Sequence, residues 1–550
     1  MAVAIECKGG MRQIEKAVCI LAFCALVPAY WINFRAPAVG LYHDDGVYIV
    51  TAKALAEGKG YRIVSLPDEI PQTKYPPVFP LILAGVWSVA PRFPQNIPLL
   101  KLIPLLSEVV WLYLVALFVR KKSRSLRLAC WIAFLTAAAP AVLYMSVVPL
   151  SEMTFACLCT GSLLVLLDIE DHPDTSTKKL LFASALAAAA ILTRTAGFPL
   201  ILAGACTLFL RKRVPEALKF LVVASLLVSP WVWWTRTHQP PGSLYDYYSQ
   251  ANYASWNLVR HFTWPQKAII FKSNILASLL APGSLLGMTV ASPGFMIVIL
   301  LIGGFVLYGW LLDFRGGLSA LNIFLILYAA VIVLWAWPPS RFYIPVLPFL
   351  LLYGYMGADR FLRGLLLLRP QSRVSGWVCL LVLVPCATHG LILQARGALR
   401  TKAAALPYIT FGDWDSLTSV SNWISQETPA DAVVMTNLDP LMFLSTGRKA
   451  VRGFIADPFE VWYAASPQDP LGSQSQMVDL MLRGGVDYFA RTSTDGFREL
   501  IFLNAFVDRL AVEHPEAVKL METASDPNYR VYAIDRVKLA AAFGKDSGRR

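Results

Sequence analysis

Apolar stretches of roughly twenty residues recur through the first 394 residues of this 550-residue chain, parted by short loops rich in Lys and Arg. A helix rises about 1.5 Å per residue and a bilayer's hydrocarbon core is about 30 Å thick, so such stretches are read as membrane crossings. Within lipid every backbone polar group must find a partner inside the protein, which leaves helices as the fold for runs of this length. Crossings are expected near 17–34, 98–119, 127–145, 153–169, 179–193, 196–210, 217–234, 295–313, 318–337, 342–358 and 376–394, about eleven in all. Hydrophobic residues make up 56% of the chain and charged residues 15%, which excludes an ordinary soluble protein.

Charge is divided along the chain. Residues 395–550 carry 17 basic and 19 acidic side chains, leaving 32 basic and 17 acidic of the total 49 and 36 in the first 394. The basic excess therefore belongs to the apolar region, where it sets topology; no nucleic-acid partner is implied. Arg120-Lys121-Lys122 with Arg124, Lys178-Lys179, Arg211-Lys212-Arg213 and the arginines 360, 363, 369 and 373 fall in alternate loops. Assigned to the inner face, they put the N-terminus in the cytoplasm and residues 395–550 outside a cell (inner) membrane.

The first outer loop, 35–97, holds Val78–Ala90, which is too short to cross and is read as an interfacial or re-entrant helix. Tyr48–Gly58 is read as an amphipathic helix on the surface. From about 395 the pattern changes to period-2 runs (Ala432–Met435, Val486–Ala490) among helical patterns at 415–427, 474–484 and 497–511. The chain thus divides into a membrane domain, 1–394, and an extracytoplasmic α/β domain, 395–550.

Chemistry-bearing residues gather on the outer side. The acids are Asp44 and Asp45, in Leu41-Tyr-His-Asp-Asp-Gly-Val-Tyr48, and Glu152, in Val148-Pro-Leu-Ser-Glu152. The cations are Lys74, Arg194 and Arg341 at span ends, and a polar aromatic loop at 236–266 includes His238, Tyr245, Asp246, Tyr247, Tyr248, Asn252 and His261. Carboxylates can deprotonate a hydroxyl, cations can neutralise a phosphate, and aromatic rings suit a sugar face. Simpler roles compete: Asp44-Asp45 as a helix cap, the cations as interfacial anchors, the tyrosines as an aromatic belt, and Glu108 as a mid-span hydrogen-bonding group.

Asp44-Asp45-Gly-x-Tyr48 with Ala56-Glu57-Gly58, followed by Lys74-Tyr-Pro-Pro77, resembles the first outer loop of GT-C glycosyltransferases. The branch is that of the protein O-mannosyltransferases and the bacterial transferases that place aminoarabinose on lipid A. Ser151-Glu152, Leu192-Thr-Arg194, Arg341-Phe-Tyr-Ile-Pro345 and Pro348 resemble motifs at similar places in that architecture. Thr428-Pro-Ala-Asp-Ala-Val-Val434 and Leu444-Ser-Thr-Gly-Arg448 resemble the exported domain of bacterial members.

The resemblance implies a mainly α, polytopic bundle using a polyprenyl- or dolichyl-phosphate sugar, with Asp44 as the essential acid and Lys74 on the donor phosphate. Arg194 and Arg341 are further phosphate candidates, and Tyr75, Tyr245 and Tyr343 are substrate-binding candidates. Asp45 stands where relatives often carry Glu. A divalent cation bridging Asp45 and Glu152 is compatible with the family. The reading is a membrane glycosyltransferase acting on a lipid, glycan or protein acceptor among membrane lipids. The rival is a multi-span transporter or lipid flippase, which would place its ionisable groups near the bilayer midplane.

Overall fold

The computed structural model describes residues 13–36, 39–172, 176–240, 243–249, 260–288, 293–365, 384–385, 387–392, 396, 414–452, 456–468, 470–492 and 498–545. Helices dominate. In chain order they are α1 (Gln13–Arg35), α2 (Asp44–Ala56), α3 (Val78–Val89), α4 (Ile97–Ser123), α5 (Leu126–Ala138), α6 (Pro140–Met145), α7 (Glu152–Asp171), α8 (Thr177–Ile191), α9 (Phe198–Leu210), α10 (Val214–Thr237), α11 (Trp264–Leu285), α12 (Pro293–Arg315), α13 (Ala320–Val333) and α14 (Leu347–Leu365). Among the described residues, α1, α4, α7, α10, α11, α12 and the segment Ser340–Leu365 are long and apolar enough to cross a membrane, and α3, α5 and α13 are shorter apolar helices.

Backbone contacts divide the chain into two compact units. One comprises Met1–Asn33, Pro104–Val232 and Phe271–Arg396; the other comprises Phe34–Ile103, Trp233–Ile270 and Gly397–Arg550. The first outer loop therefore packs with the C-terminal region, although more than 300 residues separate them.

In the first unit the basic loops converge on one end of the bundle. Lys121 and Lys179 both pair with Asp168, Arg211 pairs with Glu170, and Lys122 pairs with Asp313. Glu152 begins α7 and Asp168 lies near its end, so these groups stand about 25 Å apart along the helix axis. Glu108 accepts a hydrogen bond from the Tyr30 hydroxyl of α1, the interhelical partner its mid-span position called for.

Two sequence expectations need correction. The first concerns α2, which is not a surface helix: nine of its thirteen residues are buried. Its small and apolar residues pack on α3, where Tyr48 meets Phe79 with ring centroids 5.1 Å apart. The second concerns α11, which lay outside the proposed crossings. Lys267, Lys272, Asn274 and three serines dilute its apolarity, yet it forms 22 helical residues. Its midpoint, Asn274, donates to the carbonyls of Ile332, Val333 and Trp335 at the end of α13. The proposed crossing 376–394 falls largely outside the described residues.

The second unit contains a five-stranded mixed sheet: β1 (Val433–Met435), β2 (Lys449–Val451), β3 (Tyr488–Arg491), β4 (Val518–Thr523) and β5 (Arg530–Ile534), in the order β2-β1-β3-β5-β4. β1 runs parallel to β2 and β3, while β5 runs antiparallel to β3 and β4. Around it lie α15 (Trp414–Glu427), α16 (Asp439–Thr446), α17 (Pro458–Trp462), α18 (Gln474–Arg483), α19 (Arg498–Glu513) and α20 (Arg536–Ala542). The outer loop joins the β2 edge: Ala450 donates its amide to Ser65 O at 2.9 Å, and Lys449 Nζ reaches Val64 O and Glu69 Oε1, each at 2.7 Å.

Candidate active site

In the second unit the two acids of the outer loop face different ways. Asp45 is fully buried; its Oδ2 accepts from the Gly40 amide at 2.6 Å and its Oδ1 from the Tyr42 amide at 3.1 Å. It therefore holds its own loop closed. Asp44 is half-buried at the first turn of α2, and its Oδ1 accepts from the Tyr75 hydroxyl at 2.5 Å. The Tyr75 ring in turn packs on Tyr48, 4.7 Å between centroids. Neither acid caps α2 in the expected manner, because the N-cap residue is His43.

Burial raises the Asp45 carboxyl from its ordinary 3.8 to about 7, against the opposing pull of the backbone amides; the Asp44 charge adds a smaller upward push. A carboxyl that binds its proton more tightly when folded contributes stability in full below about pH 4, and that contribution is lost as the pH rises through about 7. Exchange protection of the Gly40 and Tyr42 amides, corrected for intrinsic rates, should therefore fall between those limits. In Asp45→Asn, which has no proton to lose, the profile should be flat across that range.

Lys74 lies nearly buried with Nζ 3.7 Å from the centroid of the Tyr247 ring, which Arg452 also faces at 4.3 Å. The Tyr247 hydroxyl meets His43 Nδ1 at 3.4 Å, and His43 Nε2 bonds Asp439 Oδ1 at 2.7 Å. The other Asp439 oxygen accepts from Tyr248 at 2.7 Å. Burial pushes the imidazole below its usual range, opposed by Asp439 and reinforced by Arg452 and Lys74. With a proton on Nε2, the ring donates to the carboxylate oxygen. Tyr245 is buried, with its hydroxyl donated to Asp68 Oδ2 at 2.7 Å. Asn252 lies outside the described residues.

The sequence alone missed His43, Asp439 and Arg452. His43 adjoins the acid pair and could have been weighed with it. Asp439-Pro440 reads only as a turn signal, and Arg452 has no motif around it.

In the first unit, Glu152 is almost completely buried at the start of α7, and its Oε1 receives two guanidinium groups, Arg194 at 2.8 Å and Arg341 at 3.4 Å. Arg194 also donates to Ser151 Oγ at 3.2 Å and stands over the Phe342 ring. Its position depends on the turn between α8 and α9. There Gly197 leaves no room for a side chain, since a Cβ would sit 2.9 Å from Phe155. Arg341 is carried by a 3-10 turn, Ser340–Val346, which follows two prolines. Tyr343, in the same turn, is buried, and its hydroxyl meets Ser278 Oγ at 2.9 Å.

One carboxylate and two guanidinium groups leave one net positive charge, suited to an anion. Both Asp45 oxygens accept from backbone amides, and Glu152 Oε1 faces two arginines, while its buried Oε2 has no hydrogen-bond partner among the described residues. Among the described residues no three His, Cys, Asp or Glu side chains group as metal ligands do.

A helical membrane bundle with an acidic loop between its first two long apolar helices and a C-terminal α/β domain is the GT-C architecture of membrane glycosyltransferases. Three solved structures, of two proteins, carry the likeness. ArnT from Cupriavidus metallidurans superposes with a TM-score of 0.53 at 15% identity over 96% of this chain and 99% of its own, in the apo state. Its complex with undecaprenyl phosphate gives 0.50 at 14% identity over 94% and 98%. The archaeal oligosaccharyltransferase AglB from Archaeoglobus fulgidus, in complex with an inhibitory peptide and a dolichol-phosphate, gives 0.53 at 15% identity over 87% and 70%. No protein-family model and no curated protein sequence matches the chain. The chain shares the fold of these enzymes at an identity too low to carry over their substrates.

Proposed function

We propose that this chain is a glycosyltransferase that moves a sugar from a polyprenyl-phosphate carrier to an acceptor hydroxyl at the outer face of the membrane, with its N-terminus in the cytoplasm. The bond between the anomeric carbon and the phosphate oxygen breaks, a bond from that carbon to the acceptor oxygen forms, and the acceptor's proton passes to Asp44. The carrier leaves as polyprenyl phosphate. Lys74 stabilises the charge that develops on the phosphate, and Arg194 or Arg341 is a further candidate for that role. Asp45 holds the loop rather than meeting the substrate, and Tyr75 orients Asp44 through its hydroxyl.

The observation that carries this reading is the division of labour in the acid pair. One carboxylate is spent wholly on backbone amides, and its neighbour is half-exposed on a tyrosine hydroxyl. The undecaprenyl phosphate and dolichol-phosphate bound by the structural neighbours support the choice of donor.

The test is consumption of radiolabelled polyprenyl-phosphate sugars by the purified protein in vesicles containing native lipid extract, wild type beside Asp44→Asn. Consumption by the wild type alone supports the assignment. A protein that consumes none of them yet moves lipid-linked sugar across the vesicle bilayer is a flippase. Lys74→Met keeps the packing on Tyr247 and removes one charge. It should raise the donor KM about tenfold, the cost of one charge-assisted contact. An unchanged KM would assign Lys74 to packing alone.

A further inference from the structure

The backbone just ahead of Asp44 adopts a turn that its own sequence does not favour. His43 has φ 65° and ψ −53°, and the Asp44 amide donates to Tyr42 O, two residues back, at 2.7 Å. This is the γ-turn with positive φ at its centre, rare and strained for a residue with a Cβ. Such a conformation persists only where the surroundings over-determine it, and it concentrates at functional sites.

Those surroundings come from the C-terminal region of the same unit. Asp439, the first residue of α16, takes His43 Nε2 at 2.7 Å and is itself steadied by the Tyr248 hydroxyl. The next two residues press on either side of the turn. A Cβ placed on Gly46 would lie 2.8 Å from Pro440 Cβ, and one placed on Gly40 would lie 2.9 Å from Leu441 Cβ. Only glycine lets the helix approach so closely.

We propose that Asp439 is a positioning residue: through His43 it holds the γ-turn that aims Asp44, so the C-terminal domain sets the geometry of the outer-loop acid. The inference rests on the reading of Asp44 as the base. The link from turn to acid is direct, because the amide that closes the turn belongs to Asp44. Were His43 to relax to negative φ, that hydrogen bond would break and the Asp44 side chain would swing relative to Tyr75. The domain thereby has a part in the reaction without touching substrate.

Asp439→Ala and Asp439→Asn in the full-length, reconstituted protein test this. The readouts are kcat and KM for the undecaprenyl-phosphate sugars, together with amide exchange. Asp439→Ala should lower kcat about 10- to 100-fold, the scale of a small misplacement of a reacting group, and leave donor KM within about twofold. Asp439→Asn keeps an acceptor for Nε2 and should restore most of the rate. Exchange at the Gly40, Tyr42 and Asp44 amides should rise in the alanine variant while that of Val434 and Phe489 in the sheet stays unchanged.

Should Asp439→Ala fail to fold, His43→Gly serves in its place, since glycine adopts positive φ without strain but carries no anchor. It should show the same loss in kcat. Wild-type kcat in either folded variant, or unchanged exchange in the loop, overturns the proposal. Full activity in Asp44→Asn overturns instead the reading of Asp44 as base; faster loop exchange in Asp439→Ala would still establish the clamp.

Discussion

Asp44→Asn should reduce sugar transfer by about a thousandfold, within the range that positioned proton transfer supplies, while the protein stays folded. The substitution is nearly isosteric, and its amide oxygen can still accept from the Tyr75 hydroxyl, which donates to Asp44 Oδ1 at 2.5 Å. The loop itself is held by Asp45 through the Gly40 and Tyr42 amides, and those bonds do not involve Asp44. The variant therefore removes the capacity to take a proton with little else disturbed. Donor affinity should change by less than about threefold, because the lost group acts in the transition state more than in binding. Full activity would return Asp44 to the role of an ordinary residue in the first turn of α2.

Arg194→Ala should weaken binding of undecaprenyl phosphate by about 10- to 100-fold, the equivalent of about 1.5–3 kcal/mol for a charge-assisted hydrogen bond. The reason is charge balance around Glu152. With both arginines on the carboxylate the cluster carries one net positive charge; without Arg194 it carries none. Arg194 makes the shorter contact and also bonds Ser151, so its loss should cost more than that of Arg341. Glu152→Gln raises the net charge and should not weaken binding of the anion. Quenching of intrinsic tryptophan fluorescence by titrated undecaprenyl phosphate would measure all three. An affinity unchanged in Arg194→Ala would make the cluster a packing element of the bundle.

The legible parts of this protein are those in which a local pattern carries the constraint. Apolar length specified the long helices other than α11, and the shortness of Val78–Val89 kept it from being counted as a crossing. Period-2 and helical runs located β1, β3, α15, α18 and α19 to within two residues or so. β4 and β5 were not foreseen, since the edge strand β4 is mostly exposed and carries no clean alternation. Apolar periodicity also gave no warning that α2 is buried, because its covering by α3 and α16 is set by tertiary packing.

By itself, the sequence determined that this is a helical membrane chain with an α/β domain near its C-terminus, and it singled out Asp44, Asp45, Lys74, Glu152, Arg194 and Arg341 by charge in apolar surroundings. Hydrophobic length and charge placement are local quantities, and a single pass along the chain reads them. Only the tertiary structure decided that Arg194 and Arg341 share one carboxylate, that Asp45 faces inward, and that His43 meets Asp439 across 396 residues. Those outcomes depend on which way side chains point after distant segments pack, and hydrogen-bond direction leaves no periodic trace in the sequence.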